Sequence, residues 1–356
     1  MIFVLALLLT FIGDEQCLSC HEKHRTYLPT AHHLTSREAN ATSILGSFAP
    51  GKNVLATQRE LQYRMEARND GFFQVGVLGT PPDTVSLEER FDLVIGSGRK
   101  GQTYLYWDKN NQLFQLPVSY WTEVASWVNS PGYGDRSIEF SRPVVPRCLE
   151  CHASSFDAVS GFANRYRRDD YVLGISCERC HGPGKQHAAL NAPGAPKPVD
   201  QAIVNPAKLP RDRQLALCSL CHGGIGVEKA PAFSFKAGDT LEDFLKLETP
   251  KENDALDVHG SQVALLERSK CFKSSSMTCS TCHDVHVRQR DVTDFSQRCL
   301  ACHKVESCGL FPKRGHAIVG KCVDCHMPNQ TSNVIFSTHD GARLRPKVRN
   351  HWIKIY

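Results

Sequence analysis

The chain has 356 residues, of which 41% are hydrophobic, and its 25 Gly and 19 Pro leave room for only a modest polypeptide core. That balance argues against two or three independently cored domains, the usual expectation at this length. A formal net charge of +5 would suggest an anionic partner such as nucleic acid, but 16 Cys and 16 His change the reading.

In chain order, the apolar run Ile2 to Ile12, closed by Gly13 and Asp14, comes first. It is too short to span a bilayer and fits the apolar part of a secretory signal. No Lys or Arg precedes it and no small-x-small cleavage site follows, so residues 1–13 are read as an export segment or a short uncleaved anchor. No later segment has the pattern of a transmembrane helix.

Cys-x-x-Cys-His then occurs seven times: Cys17/Cys20/His21, Cys148/Cys151/His152, Cys177/Cys180/His181, Cys218/Cys221/His222, Cys279/Cys282/His283, Cys299/Cys302/His303 and Cys322/Cys325/His326. Two thiols a short loop apart can add across the two vinyl groups of one haem, and the following His is held under the iron as its proximal ligand. Zinc knuckles also use paired Cys-x-x-Cys but place no demand on the next residue. At this His frequency, seven such histidines by chance is about a one-in-a-billion event. A disulfide framework would not explain the histidines either. The cofactor reading is seven covalently bound haem c groups, whose apolar faces supply the core that the polypeptide lacks.

The charge changes accordingly. Each oxidised haem adds about −1 once two propionates are counted, which takes +5 to about −2, and to about −9 on reduction. Arg residues are natural propionate partners, and nucleic acid is not an expected one.

Between Cys20 and Cys148 lie 127 residues that read as ordinary protein. Leu61–Arg68 and Phe72–Leu78 flank Asn69-Asp70-Gly71, a hairpin signal. Thr103–Trp107 and Leu113–Leu116 flank Asp108 to Asn111, a second one. Tyr120, Trp121, Trp127 and Tyr133 follow and are read as packing aromatics. Further on, residues 191–210 read as a Pro-rich connector and Arg211–Leu220 as a helix entering the fourth motif. Asp239 is expected to cap a helix through Leu247, and Ser261 another through Lys270. Motif spacings of 131, 29, 41, 61, 20 and 23 residues exclude a regular repeat. The expected fold class is a mainly α and irregular multihaem cytochrome c with a haem-stack core and a small β-rich insert. The expected divisions are residues 14–45 (haem 1), 46–130 (the insert), 131–235 (haems 2–4) and 236–356 (haems 5–7).

Each iron has a second axial position. Nine His lie outside the motifs: His24, His32, His33, His187, His259, His286, His316, His339 and His351. His286 follows His283 by three residues, as His24 follows His21. Residues three apart on a helix share a face, whereas the two ligands of one iron lie on opposite porphyrin faces, so a ligand at such a position must serve a neighbouring haem. His32 and His33 are adjacent and point differently, so one of the two is expected to ligate. The distal candidates are therefore His32 or His33, His187, His259, His286, His316 and His351, with His24 and His339 behind them. Met65 and Met277 are weaker candidates. Cys271 and Cys308, left over from the motifs, are expected to form a disulfide in an oxidising compartment.

The segment Cys177-Glu-Arg-Cys-His-Gly-Pro-Gly-Lys-Gln-His187 resembles the tetrahaem cytochrome c family of ammonia oxidisers, kin to hydroxylamine oxidoreductase and the pentahaem nitrite reductases. Similar stretches are Cys17-Leu-Ser-Cys-His with Thr30-Ala-His-His33, Cys279-Ser-Thr-Cys-His-Asp-Val-His286, and Cys322-Val-Asp-Cys-His-Met-Pro328. The resemblance implies that His187, His286 and one of His32 and His33 are distal ligands to neighbouring haems. Its catalytic marks are missing, since all seven motifs end in His and none in the Lys of the nitrite-reducing site.

These features favour a periplasmic or extracellular electron-transfer protein working between redox partner proteins. Two other readings stand beside it: a reductase or oxidase of a small nitrogen or sulfur compound at one open haem, and a self-associating subunit of an extracellular cytochrome wire. The haem count is directly testable. Intact mass should exceed the polypeptide by seven haems that resist acid–acetone extraction; zinc, or extractable haem, would overturn it.

Overall fold

The computed structural model describes residues 11–57, 59–195, 202–249, 251 and 261–356. Helix formation starts at the first motif and is brief there: α1 covers Asp14–Leu18. A two-layer β body follows. Strand β1 (Ser36–Glu38) belongs to its second sheet. The first sheet is an antiparallel meander of β2 (Val54–Ala56), β3 (Leu61–Arg68), β4 (Gly71–Thr80) and β5 (Asp83–Arg90). β3 and β4 meet at the turn expected from sequence, with Arg68 opposite Gly71. β5 is an exposed, charge-rich edge, a composition that discourages pairing with other chains.

The second sheet contains β6 (Leu93–Ile95), β7 (Gly101–Trp107), β8 (Leu113–Gln115), β9 (Val118–Trp121), β10 (Ser126–Asn129) and β11 (Arg142–Pro143). Its order is β1-β6-β7-β8-β11, with β9 also on β7 and β10 on β9. The β7–β8 turn is built as its sequence suggests: the Asp108 carboxylate accepts the amides of Asn110 and Gln112 at 2.8 and 2.7 Å.

Alternation gives this sheet two buried faces. Val94, Tyr104 and Tyr106 point into a core with Leu61, Tyr63 and Met65 of β3, Phe91 and Trp127. Leu93, Ile95, Leu105 and Trp107 point the other way, onto Val144, Leu149, Phe156 and Tyr166. Leu149 lies inside the second Cys-x-x-Cys-His motif, on α2 (Pro146–Glu150). The sheet therefore holds that motif on its outer face, together with the hairpin β12 (Ala153–Ala158) and β13 (Tyr166–Leu173).

Beyond this body come α3 (Cys177–His181), α4 (Lys185–Leu190) and α5 (Arg211–His222), then a β14 (Gly226–Glu228) and β15 (Leu245–Leu247) pair. The C-terminal third has α6 (Gln262–Glu267), α7 (Lys270–Lys273), α8 (Val292–Leu300), α9 (Phe311–Arg314) and α10 (Cys322–His326). Two small pairings close the chain: β16 (Asn329–Thr331) with β19 (Lys347–Arg349), and β17 (Ser337–His339) with β18 (Ala342–Leu344).

The mainly α expectation is therefore corrected: the described chain is 27% helix and 28% strand, in many small antiparallel sheets. The motif helices do not propagate. Gly182, at φ 81°, stops α3, and Met327-Pro328 stops α10. One-turn helices have no independent stability, while β-branched and aromatic runs between motifs pair as strands well outside the insert. The helix expected from Asp239 is a 3₁₀ turn, Leu241–Asp243, followed by β15; Phe235, Leu241 and Leu245 bury against Leu220 of α5 and so fix the extended backbone. The helix expected from Ser261 is broken into α6 and α7, and Ser261 itself has φ 79° and no capping bond.

Trp127 is 2% exposed, donates its indole N–H to the Ser47 carbonyl at 2.8 Å, and meets the rings of Phe48, Phe91, Tyr104 and Tyr120. Trp127→Ala should destabilise the β body by roughly 3–5 kcal/mol, read as an earlier guanidinium midpoint by circular dichroism. An unchanged midpoint would remove Trp127 from the core.

Candidate haem-binding site

Helical spacing places the two cysteines of a motif on one face. The motifs pack on one another through their own backbones. Cys177 N–H donates to the Asp14 carboxylate at 2.8 Å, which ties the third motif to the first. Arg147 donates to the Leu220 carbonyl at 2.7 Å, which ties the second to the fourth. Thiols of different motifs lie close together: Cys17 by Cys177, Cys151 by Cys221, and Cys218 by Cys279.

Burial separates the motif cysteines, which the sequence treats alike. Cys20, Cys148, Cys302 and Cys325 are exposed, and the other motif cysteines are partly buried. The reason is local packing. In the sixth and seventh motifs the first cysteine sits against α8 or the turn before α10, where Cys299 lies near the Phe295 carbonyl and Cys322 near the Val319 carbonyl. Cys302 falls just past the end of α8, and Cys325 lies next to the equally exposed Asp324, so both are on the solvent side of their helices. Cys20 likewise lies beyond the end of α1. In these motifs one thiol is anchored by the chain and the other faces outward.

All sixteen cysteines are unbridged, so the Cys271–Cys308 disulfide expectation is corrected. Each faces a different motif: Cys271 neighbours Cys282 and Cys299, whereas Cys308 neighbours Cys322.

The histidines are arranged in facing pairs. Ring centroids lie 6.2 Å apart for His21 and His187, 6.2 Å for His181 and His286, 6.0 Å for His32 and His222, and 6.4 Å for His283 and His351. Two imidazoles whose nitrogens each sit about 2 Å from one shared metal have centroids about 6 Å apart. Each pair joins a motif His to a His outside the motifs, and in each the outside residue comes from a distant or different motif's segment. His286 faces the third motif rather than the fifth, its neighbour in sequence.

Hydrogen bonds orient several rings. Nδ1 lies 2.8 Å from the Val204 carbonyl for His181, 2.8 Å from the Lys354 carbonyl for His326, and 3.1 Å from the Arg349 carbonyl for His351. Each such bond places the proton on Nδ1 and leaves the Nε2 lone pair for a metal. Thr35 Oγ1 lies 3.0 Å from His152 Nδ1. Desolvation pushes His32 and His351 down to about 4, and lowers His222, His283 and His286 as well.

The other candidates sit differently. His33 has both nitrogens engaged, Nδ1 with the Leu28 carbonyl and Nε2 with Asp14, each at 3.0 Å. His24 lies 4.7 Å from His286, ring to ring. His316 packs on Phe311 at 5.3 Å, and His339 Nε2 is 3.4 Å from Asp340. His259 lies outside the described residues. Met65 is fully buried in the β core, away from this role. Among the described residues, no His ring faces His303 or His326 at comparable distance.

These donors fit haem: four motif rings each have a second ring from another segment about 6 Å away, and the motif thiols lie one and four residues before each motif ring. Among the described residues no group of three or more His, Cys, Asp or Glu gathers around a point as a bare metal ion would need. Arg99 lies near both His283 and Arg290, and Arg288 also lies near Arg290; desolvation first, and then Arg288 and Arg99, depress the Arg290 guanidinium. Such a cluster suits propionates.

Sequence reasoning missed two buried carboxylates. Glu150, 4% exposed, takes Arg147 at 2.7 Å and Arg179 at 3.4 Å, which links the second and third motifs. Glu178, 3% exposed, accepts backbone amides. The available signal was an acidic residue between the two cysteines of a motif.

Residues 134–182, which hold the second and third motifs, match the family described as cytochrome c554 and c-prime. The chain is 28% identical over 169 residues to the C-type polyheme cytochrome OmcC of Geobacter sulfurreducens, covering 41% of this chain and 21% of that protein. It is 26% identical over 192 residues to the multiheme cytochrome MtrA of Shewanella baltica, covering 51% and 45%. The chain thus spans less than half the length of these relatives. An undecaheme cytochrome from the S-layer of Carboxydothermus ferrireducens superposes with a TM-score of 0.43 at 16% identity, over 98% of this chain and 52% of the other.

The pairing geometry makes His286→Ala diagnostic. It should convert one low-spin haem to high-spin in the electron paramagnetic resonance spectrum with all haems attached, and the affected haem should be that of Cys177 and Cys180. His33→Ala should leave every haem's spin state alone. A silent His286→Ala would break the pairing.

Proposed function

We propose that this multihaem c-type cytochrome is an electron relay, with seven haem c groups held at its Cys-x-x-Cys-His motifs and most irons closed by His on both faces. Four opposed imidazole pairs about 6 Å apart carry the reading. In it, His187, His286, His32 and His351 are the distal ligands opposite His21, His181, His222 and His283. His24, His259, His316 and His339 remain as candidates for the second, sixth and seventh haems.

Haem supplies a one-electron iron couple when bound. The chain's own residues do the rest. The paired imidazoles would offer lone pairs to the iron, and carbonyl acceptors hold the Nδ1 proton of His181, His326 and His351. Contacts between motifs fix the spacing of the sites, so electrons can hop without the polypeptide moving. Arg99, Arg288 and Arg290 would balance propionate charge. The narrower kinship with tetrahaem cytochromes of ammonia oxidisers rests on the segment ending at His187, most of which falls in the matched stretch 134–182.

The proposed setting is periplasmic or extracellular, because covalent haem attachment is expected beyond the cytoplasmic membrane, with residues 1–13 as an export segment kept as a short anchor. Among the described residues no helix is long and apolar enough to cross a membrane. Its partners are then other redox proteins. One observation favours a second reading, a small-molecule reductase: His303 and His326 face no other His ring among the described residues.

Carbon monoxide separates the two. The relay should show little shift of its reduced spectrum and negligible turnover of nitrite, hydroxylamine or sulfite, while exchanging electrons rapidly with a small cytochrome or an electrode. A stoichiometric shift at one haem with steady turnover would establish the reductase.

A further inference from the structure

Glu178 lies in the third motif, between Cys177 and Arg179, and is 3% exposed. Its chain neighbour Arg179 turns to Glu150 instead, and among the described residues no cation pairs with it. A buried carboxylate without a cation is costly unless hydrogen bonds replace its water. Here backbone amides do so. Ile12 N–H reaches both carboxylate oxygens at 3.0 Å, Gly13 N–H reaches Oε2 at 3.0 Å, and Gly184 N–H reaches Oε1 at 2.8 Å.

Those amides belong to two segments with one thing in common. Ile12 and Gly13 lead directly into α1, which carries Cys17 and precedes His21. Gly184 leads directly into α4, which carries His187. His21 and His187 are the stacked pair at 6.2 Å and an interplanar angle of 19°. Asp14 returns the contact by accepting Cys177 N–H at 2.8 Å. Neither α1 nor α3 has a side-chain cap of its own ahead of its first turn.

We propose that Glu178 is the positioning residue of the first haem site: from inside the third motif it fixes the backbone on both sides of the first iron and so holds His187 opposite His21. This rests on the reading of those two residues as one iron's ligands.

The test uses the full-length, haem-loaded protein and three variants. His187→Ala should remove one low-spin haem signal and identify the first haem. Glu178→Ala should remove that same signal with seven haems still counted by mass, and should make the Ile12, Gly13 and Gly184 amides exchange about tenfold faster or more. Glu178→Gln keeps one acceptor oxygen and should retain part of the signal; it also answers the question if the Ala variant loses haem. A fully loaded Glu178→Ala protein with its spectrum unchanged, beside a responsive His187→Ala, would overturn the positioning role alone. So would loss of the third haem's signal in place of the first. A silent His187→Ala would overturn the ligand pair itself.

Discussion

An iron held inside a porphyrin takes axial ligands only from the two opposite faces, and the proposed relay depends on this constraint. There a motif His would occupy one face, and nothing within a helical turn of it could reach the other. The opposing ring would have to arrive from elsewhere in the sequence. His187 meets His21, His32 meets His222, and His351 meets His283. In each case the ring pair spans a long loop of chain, so forming the pairs closes loops at a cost in conformational entropy, a cost that grows only slowly with loop length. The His181–His286 pair adds a further link, joining the third motif to the residue that trails the fifth.

The β body answers a different need. Motif helices of about one turn cannot stand alone, and they need a stiff surface. The second sheet provides one by burying both faces. One face packs on the first sheet, and the other takes Leu149 from within the second motif. Strand and motif are thus part of one core, not neighbours across a linker. The stacked rings of Phe156 and Tyr171, at 5.0 Å, extend that core along the β12–β13 hairpin.

What could be read from sequence follows the range of the forces involved. The motifs are local chemistry and were legible at once. So were the turns at Asn69-Asp70-Gly71 and Asp108–Asn111, and the helix at Arg211, because short-range backbone preferences decide them. Leu241 to Leu247 was not, since its helical pattern lost to burial against α5. The fold class failed for the same reason, repeated: short strands pair only when tertiary packing brings them together. The pool of distal histidines could be named from sequence, but the partner of each depends on contacts far apart in the chain. His32 and His33 show the limit, as adjacent residues whose rings turn to His222 and to Asp14. Cys271 and Cys308 show it again, each beside a different motif. So do Cys302 and Cys325, whose motif pattern is the same as that of the buried-side thiols but which face solvent.

Glu150 and Glu178 occupy similar places, between the cysteines of the second and third motifs, and both are buried. Their surroundings differ in sign. Glu150 is flanked by two guanidiniums, Arg147 and Arg179, so that cluster carries a net positive charge. Glu178 is solvated by amide dipoles, which stabilise its charge without cancelling it. A fixed buried anion opposes addition of an electron nearby, and a fixed cation favours it, because screening is weak inside the protein. In the proposed relay the two glutamates would tilt the local potential between the Glu150 cluster, shared by the second and third motifs, and the Glu178 site beside the first. That tilt belongs to the polypeptide and is set before any difference in axial ligands is counted.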